Sequence, residues 1–236
     1  MTSQTALPPV MVLAAGRGSR MQALTDHCPK PLLKAAGKPL LAHLLDKLAR
    51  QGFSDVVINI DYLGEQIIEF VEGFESELSI IISDERDSGA LETAGGIVQA
   101  LPLIDADEFL LINADVYVEI KLDEFVDQAR PLLSQHLCVL GMVHNPTHND
   151  GGDFIITDQQ TLALKHHHAK KTMTYAGIGL FRTSLFRAYP AGHRSLISVL
   201  NPLVENQRVA ALAIQGLWLD VGTPERLRML DKRLSE

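Results

Sequence analysis

The chain has only two cysteines, Cys28 and Cys138, in 236 residues. Two thiols cannot supply the disulfide framework of a small secreted fold, so a reducing cytoplasm is the expected setting. Long apolar runs are missing as well. No stretch reaches the roughly 20 residues that span a bilayer, and the polar opening MTSQTALPP lacks the apolar segment of a signal peptide. No membrane partner is expected. Positive charge is not in excess either: 21 Lys and Arg against 29 Asp and Glu leave a formal net charge of -8. The cations are scattered rather than striped along one face, which argues against nucleic acid as a partner.

What is present suits a folded globular protein: 46% of residues are hydrophobic and 21% charged. The length is enough for one large α/β domain or a domain with an appended lobe. Apolar runs of strand length alternate with helical patterns through the first two thirds, the mark of βαβ units on a mostly parallel sheet. Strands are predicted at Val10–Ala14, Val56–Ile60, Ser79–Ser83, Phe109–Ile112 and Leu137–Val143. Leu40, Leu41, Leu44, Leu45 and Leu48 recur at helical spacing before Gly52, and further helices are expected at Gly64–Val71, Ala94–Leu101 and Asp123–Leu133, the last capped by Asp123. After His144 the rhythm changes. A loop, NPTHNDGG, leads to shorter strands at Asp153–Thr157, Leu162–Lys165 and Thr172–Phe181, read as a small antiparallel lobe or lid. A helix at Leu196–Leu200 ending near Pro202, strands at Arg208–Ile214 and Leu217–Leu219, and a last helix begun by Thr223 and Pro224 complete the expectation. One domain results, with residues 1–143 mainly core and 144–236 mainly lobe and closing helix.

The first strand runs into a loop rich in glycine and positive charge. Gly16 and Gly18 allow close backbone approach to an anion, and Arg17, Arg20 and Lys30 bring cations. A glycine pair also reads as an ordinary turn. Two phosphate motifs are excluded: a dinucleotide fingerprint needs glycine where Met21 stands, and no Gly-Lys-Ser/Thr is present for a Walker A loop. The run His166–His168 reads as a solvated turn rather than a metal site, because neighbouring strand side chains point to opposite faces.

The segment L-A-A-G-x-G-x-R-M-x-x-L-T-x-x-x-P-K-P-L, from Leu13 to Leu32, resembles the opening of the sugar-1-phosphate nucleotidyltransferases, with Ala23 where that family usually has proline. Gly37-Lys38-Pro39-Leu40, Leu91-Glu92-Thr93-Ala94-Gly95-Gly96, Asn113-Ala114-Asp115 and Trp218-Leu219-Asp220-Val221-Gly222-Thr223-Pro224 follow in the family's order. The resemblance implies the nucleotide-diphospho-sugar transferase fold, a Rossmann-like, mostly parallel sheet flanked by helices with a small sugar-binding lobe.

It also implies roles. Arg20, on the triphosphate being split, and Lys30, on the α-phosphate or the incoming sugar phosphate, would be the catalytic cations. Leu13, Ala14, Ala15, Gly16, Gly18, Ser19, Glu92, Thr93 and Gly95 would form the nucleotide pocket, although Thr93 reads equally as a helix N-cap. Asp115 and Asp220 would hold Mg²⁺, each closing an apolar run where α/β sheets place ligands. Ala114 stands where the family has glycine, and a positive φ there would strain it. Asn113, Asn145, Asp153, Gly177 and Ile178 would face the sugar.

The stretches around Asn145, Gly151–Phe154 and Thr174–Gly179 look like the branch that uridylylates N-acetylmuramic acid 1-phosphate in cell-wall recycling. The Glu-Lys-Pro motif of other branches is missing, with Lys165 a stand-in for its lysine, and no carboxy-terminal acyltransferase domain follows. A nucleoside triphosphate and a sugar 1-phosphate are the implied partners, acting on a monomer or dimer. Alternatives are a mannose-1-phosphate guanylyltransferase, a glucose-1-phosphate uridylyl- or thymidylyltransferase and a non-catalytic nucleotide-sugar sensor. Sparse aromatics, 6% with a single tryptophan, argue against the cage a phosphocholine transferase would need.

Overall fold

The computed structural model describes residues 6–89, 91–165 and 171–236. It opens with β1 (Val10–Leu13), the short hairpin β2 (Lys34–Ala35) and β3 (Lys38–Pro39), and α1 (Leu40–Arg50). β4 (Asp55–Ile60), α2 (Gly64–Glu72), β5 (Ser79–Asp84), α3 (Glu92–Ala100) and β6 (Glu108–Asn113) continue the alternation. Then come β7 (Val116–Val118), α4 (Leu122–Ala129) and β8 (Cys138–Val143). The remainder holds β9 (Phe154–Ile156), β10 (Leu162–Leu164), β11 (Thr172–Arg182), α5 (Thr183–Arg187), α6 (Leu196–Glu205), β12 (Val209–Ala213), β13 (Trp218–Asp220) and α7 (Pro224–Ser235).

The central sheet runs β5-β4-β1-β6-β11-β8-β12, and β11 is the strand that points against the others. Alternation along the strands divides the core. Val10, Val12, Leu110 and Ile112 pack with α1, α2 and α4 on one face. Met11, Phe109 and Leu111 pack with α3, α5 and α6 on the other, where Phe109, Phe181 and Phe186 stand with ring centroids 5.8–6.0 Å apart. Covering both faces is what a largely parallel sheet requires. α7 packs outside these layers, joining Leu230 and Val221 to Ala35 and Leu40.

Several elements differ from the sequence reading. Lys121, not Asp123, precedes α4; Asp123 falls in the first turn, and Arg130–Ser134 tighten into a 3-10 helix around Pro131. α6 continues through Pro202 to Glu205. An internal proline costs about 3 kcal/mol, and burial of Leu196, Val199, Leu200 and Val204 in the core offsets it. The antiparallel segment after His144 is tied into the sheet by one long strand. β9 and β10 form an antiparallel extension, but β11 belongs to both regions: Thr172 and Met173 pair with β9, whereas Ile178–Arg182 pair with β6 at the heart of the sheet. β7 was not foreseen. It pairs antiparallel with β13, setting Asp220 opposite Val116.

Candidate active site

The sheet register assembles the first half of the site. Leu13 lies beside Asn59 on one side and Asn113 on the other, so three neighbouring strands end at one level. Past that level the chain leaves β1 through Ala14, whose N–H donates to Asn59 Oδ1 at 2.8 Å. Asn59 Nδ2 in turn donates to Glu85 Oε1 at 2.7 Å, and both residues are buried. Burial pushes the Glu85 carboxyl up to about 7, against the opposing pull of the Asn59 hydrogen bond.

The loop after β1 is more ordered than its glycines suggest. Gly18 takes φ 67°, a left-handed conformation that suits glycine, and Ser19–Thr25 then wind into 3-10 turns anchored by fully buried Met21. Tyr62 Oη donates to Thr25 O at 2.9 Å and pins the loop to the start of α2. A side chain at Gly18 would also meet the Lys30 stem at 3.0 Å, so its absence lets the lysine lie along the loop. Lys30, itself buried, forms an ion pair with Asp115 Oδ2.

These elements enclose a cavity of about 600 Å³ lined by Leu13–Gly18, Lys30, Asn59, Tyr62, Glu85, Leu91–Thr93 and Asn113–Asp115. Arg17 rests its guanidinium 5.2 Å from the Tyr62 ring centroid at the rim. A second cavity of about 350 Å³ shares Asn113 and Asp115 with the first, and adds Arg20, His148, Asp153, Gly177, Trp218 and Asp220 among its walls. The β7–β13 pairing joins the aspartates: Val221 N donates to Asp115 O at 2.8 Å, directly after Asp220. Arg226 Nη1 donates to Asp220 Oδ2 at 3.2 Å, while Asp220 Oδ1 is buried with no hydrogen-bond partner among the described residues. An added Cβ at Gly222 would lie 2.9 Å from that free oxygen and 3.2 Å from an Arg20 guanidinium nitrogen, which sets Arg20 beside Asp220. His148 completes the group, 3.7 Å from Asp220 Oδ2; burial first, and then the Arg226 cation, hold its pKa below the ordinary imidazole value.

The anticipated residues therefore divide. Leu13, Ala14, Ala15, Gly16, Gly18, Lys30, Glu92, Thr93, Asn113 and Asp115 line the larger cavity; Arg20, Asp153, Gly177 and Asp220 line the smaller. Ser19, the first residue of the 3-10 segment, lines neither. Gly95 is absent from the lining too. Its N–H donates to Arg194 O at 3.1 Å, and the space a side chain would need is filled by the backbone of Gly192 and Arg194. Thr93 does not cap α3, which begins at Glu92 after Leu91. Ile178 is a fully buried core residue paired with Ile112, whereas Gly177, at φ 70°, packs against Asn113. Asn145 serves its own turn, donating to Asp150 O and Thr172 Oγ1. Asp153 accepts from Tyr175 N at 2.8 Å. Lys165 donates to Gly152 O at 2.9 Å, away from both cavities. Ala114 is not among the residues with positive φ, so the anticipated strain is absent. The triple histidine His166–His168 lies outside the described residues.

Asn59, Glu85, His148 and Arg226 were not foreseen. Asn59 carried a readable signal, a polar residue near the end of an otherwise apolar strand. The other three did not, because their neighbours are distant in sequence.

The sequence model of a family described as "Nucleotidyl transferase" matches residues 9–236. The N-acetylmuramate alpha-1-phosphate uridylyltransferase of Neisseria meningitidis serogroup B is 40% identical over 92% of this chain and 94% of its own. The protein of the same name from Caulobacter vibrioides is 31% identical over 96% of both. Among solved structures, HddC from Yersinia pseudotuberculosis complexed with GMP-PN superposes with a TM-score of 0.79 over 97% of this chain and all of the other, at 20% identity, a likeness of fold. No helix among the described residues is long and apolar enough to cross a membrane. With one family matched across nearly its whole length, and a relative 40% identical over most of both chains, this chain belongs to the nucleotidyl transferase family and is a nucleotidyltransferase.

Proposed function

We propose that the enzyme transfers a uridylyl group from UTP to N-acetylmuramic acid α-1-phosphate, giving UDP-N-acetylmuramic acid and pyrophosphate in a cytoplasmic step of cell-wall recycling. One observation carries the reading: two cavities of unequal size meet at Asp115, the larger walled by the backbone of the loop after β1 with Arg17 and Lys30 and the smaller by polar side chains. The nucleotide suits the larger and the sugar phosphate the smaller, with the reacting phosphates between them. The choice of base and sugar rests on the two full-length relatives that carry this name.

Asp115 and Asp220 would hold Mg²⁺. The unpartnered, buried Asp220 Oδ1 fits a hard cation, because such an oxygen is costly to leave without a positive partner. Among the described residues no third acidic, histidine or cysteine ligand joins them, so phosphate oxygens and water would complete the octahedron. When bound, the ion draws charge off the phosphates during transfer.

The protein's own groups do the rest by position and charge. Backbone between Leu13 and Gly18 cradles the triphosphate, and Arg17 guards the rim. Lys30 holds Asp115 and offers its ammonium to the α-phosphate. The acceptor phosphate enters beside Arg20, and one of its oxygens attacks the α-phosphorus in line as pyrophosphate leaves. Arg20 stabilises the charge that develops. No protein nucleophile is needed.

Pyrophosphate release across a matrix of nucleoside triphosphates and sugar 1-phosphates tests this reading. Fastest turnover is expected with UTP and N-acetylmuramic acid 1-phosphate. A preference for GTP with mannose 1-phosphate, or for glucose 1-phosphate, would replace the substrate pair, and no turnover anywhere would favour a nucleotide-sugar sensor.

A further inference from the structure

His148 belongs to none of the motifs that carry the family resemblance, yet it lines the smaller cavity beside Asp220. It sits in the 3-10 turn Thr147–Asn149 between β8 and β9, and Arg226 reaches it from the first turn of α7. Arg226 Nη1 and His148 Nε2 are 2.5 Å apart. A guanidinium has only donors, so His148 Nε2 must accept, which makes the ring neutral and leaves its proton on Nδ1.

Arg226 has little freedom to release the ring. Its side chain is 9% exposed, the same nitrogen donates to Asp220 Oδ2, and Thr223 Oγ1 accepts its backbone N–H at the helix start. His148 Nδ1 makes no hydrogen bond to the described residues, and its side chain remains 34% exposed. The ring thus carries an unbonded N–H donor on the wall of the cavity that also holds Asp220, where the acceptor phosphate is expected.

We propose that His148 is an acceptor-recognition residue: Arg226 locks its ring as the Nδ1–H tautomer, and that N–H donates to a phosphate oxygen of the incoming sugar 1-phosphate. This rests on the reaction proposed above. A neutral donor suits the position. It orients the attacking phosphate without adding a cation that would pair with Asp220 and occupy the oxygen already held by Arg226.

Two measurements on the full-length protein test it. Nitrogen-15 NMR of the histidine rings, at mildly alkaline pH and without ligand, should find Nδ1 of His148 protonated and Nε2 bare. In kinetics, His148→Phe should raise the acceptor KM about tenfold or more, the loss of one hydrogen bond to a charged group, while the nucleotide KM stays within about twofold. His148→Gln can accept from Arg226 through its carbonyl and donate through its amide, so it should hold the acceptor KM within about threefold of the parent. An Nε2–H tautomer, a Phe variant with the parent's acceptor KM, or a parallel rise in both KM values would overturn the proposal. A parent enzyme inactive on every sugar 1-phosphate would instead overturn the reaction reading, and remove the phosphate as the ligand of His148.

Discussion

The two cavities that meet at Asn113 and Asp115 are built in opposite ways. The larger is made at the level ends of parallel strands, from main chain, small side chains and polar groups already bonded to one another, as Ala14, Asn59 and Glu85 are. The smaller is made from longer side chains that converge from the opening loop, the turn after β8, strand β11 and the segment before α7. Backbone set by sheet register can hold the part of a ligand that all triphosphates share. Individual side chains converging from several segments suit the part that differs between acceptors. The first region is therefore expected to respond to substitution through folding and nucleotide binding, and the second through turnover and acceptor choice.

The sharpest break in this comparison falls on the carboxylates. Asp115→Asn and Asp220→Asn should each lower turnover on the order of 1000-fold, and Asp115→Asn should also lower the thermal midpoint, since it leaves buried Lys30 without its counter-charge. Pyrophosphate release and a melting curve on each variant check this; near-parental turnover in either would remove it from the metal site. Arg20→Ala should cost about 10- to 100-fold in kcat while the nucleotide KM moves by no more than about threefold. An equal loss in binding would reassign Arg20 from the acceptor side to the nucleotide side.

The smallest effect sharpens the comparison from the nucleotide side. The Glu85 carboxyl is raised from its ordinary 4.5 to about 7 by burial, so the folded state holds its proton more tightly than the unfolded chain. Its contribution is full below the unfolded value and is lost as pH rises through about 7. Glu85→Gln should therefore melt less pH-dependently, losing about 4 °C less than the parent between about pH 5 and about pH 8. Identical pH slopes would mean that Glu85 ionises as freely in the folded protein as in the unfolded chain.

Much of the larger cavity was legible because its residues are contiguous. Leu13 to Lys30 forms one stretch, and Asn113 and Asp115 close a strand whose apolar run is plain. Expectation and structure part where a neighbour distant in sequence decides a residue's surroundings. Gly95 looks like room for a base, but the Gly192–Arg194 backbone fills that room. Ile178 sits next to a cavity residue, yet strand alternation turns its side chain into the core. The span of α6 was cut short at Pro202, since local propensity is blind to the burial of Val204.

By itself the sequence determined the alternation of strands and helices, the glycine-rich exit from β1 and the presence of two aspartates at strand ends, because apolar periodicity and turn chemistry are local properties. Only the tertiary structure decided how those aspartates meet. Val116–Val118 is too short to announce itself as a strand, and its antiparallel pairing with Trp218–Asp220 is a long-range contact that neither segment encodes alone. The same pairing, with α7 packed behind it, sets Arg226 against Asp220, and the turn after β8 brings His148 to Arg226, so that the smaller cavity gains its polar wall.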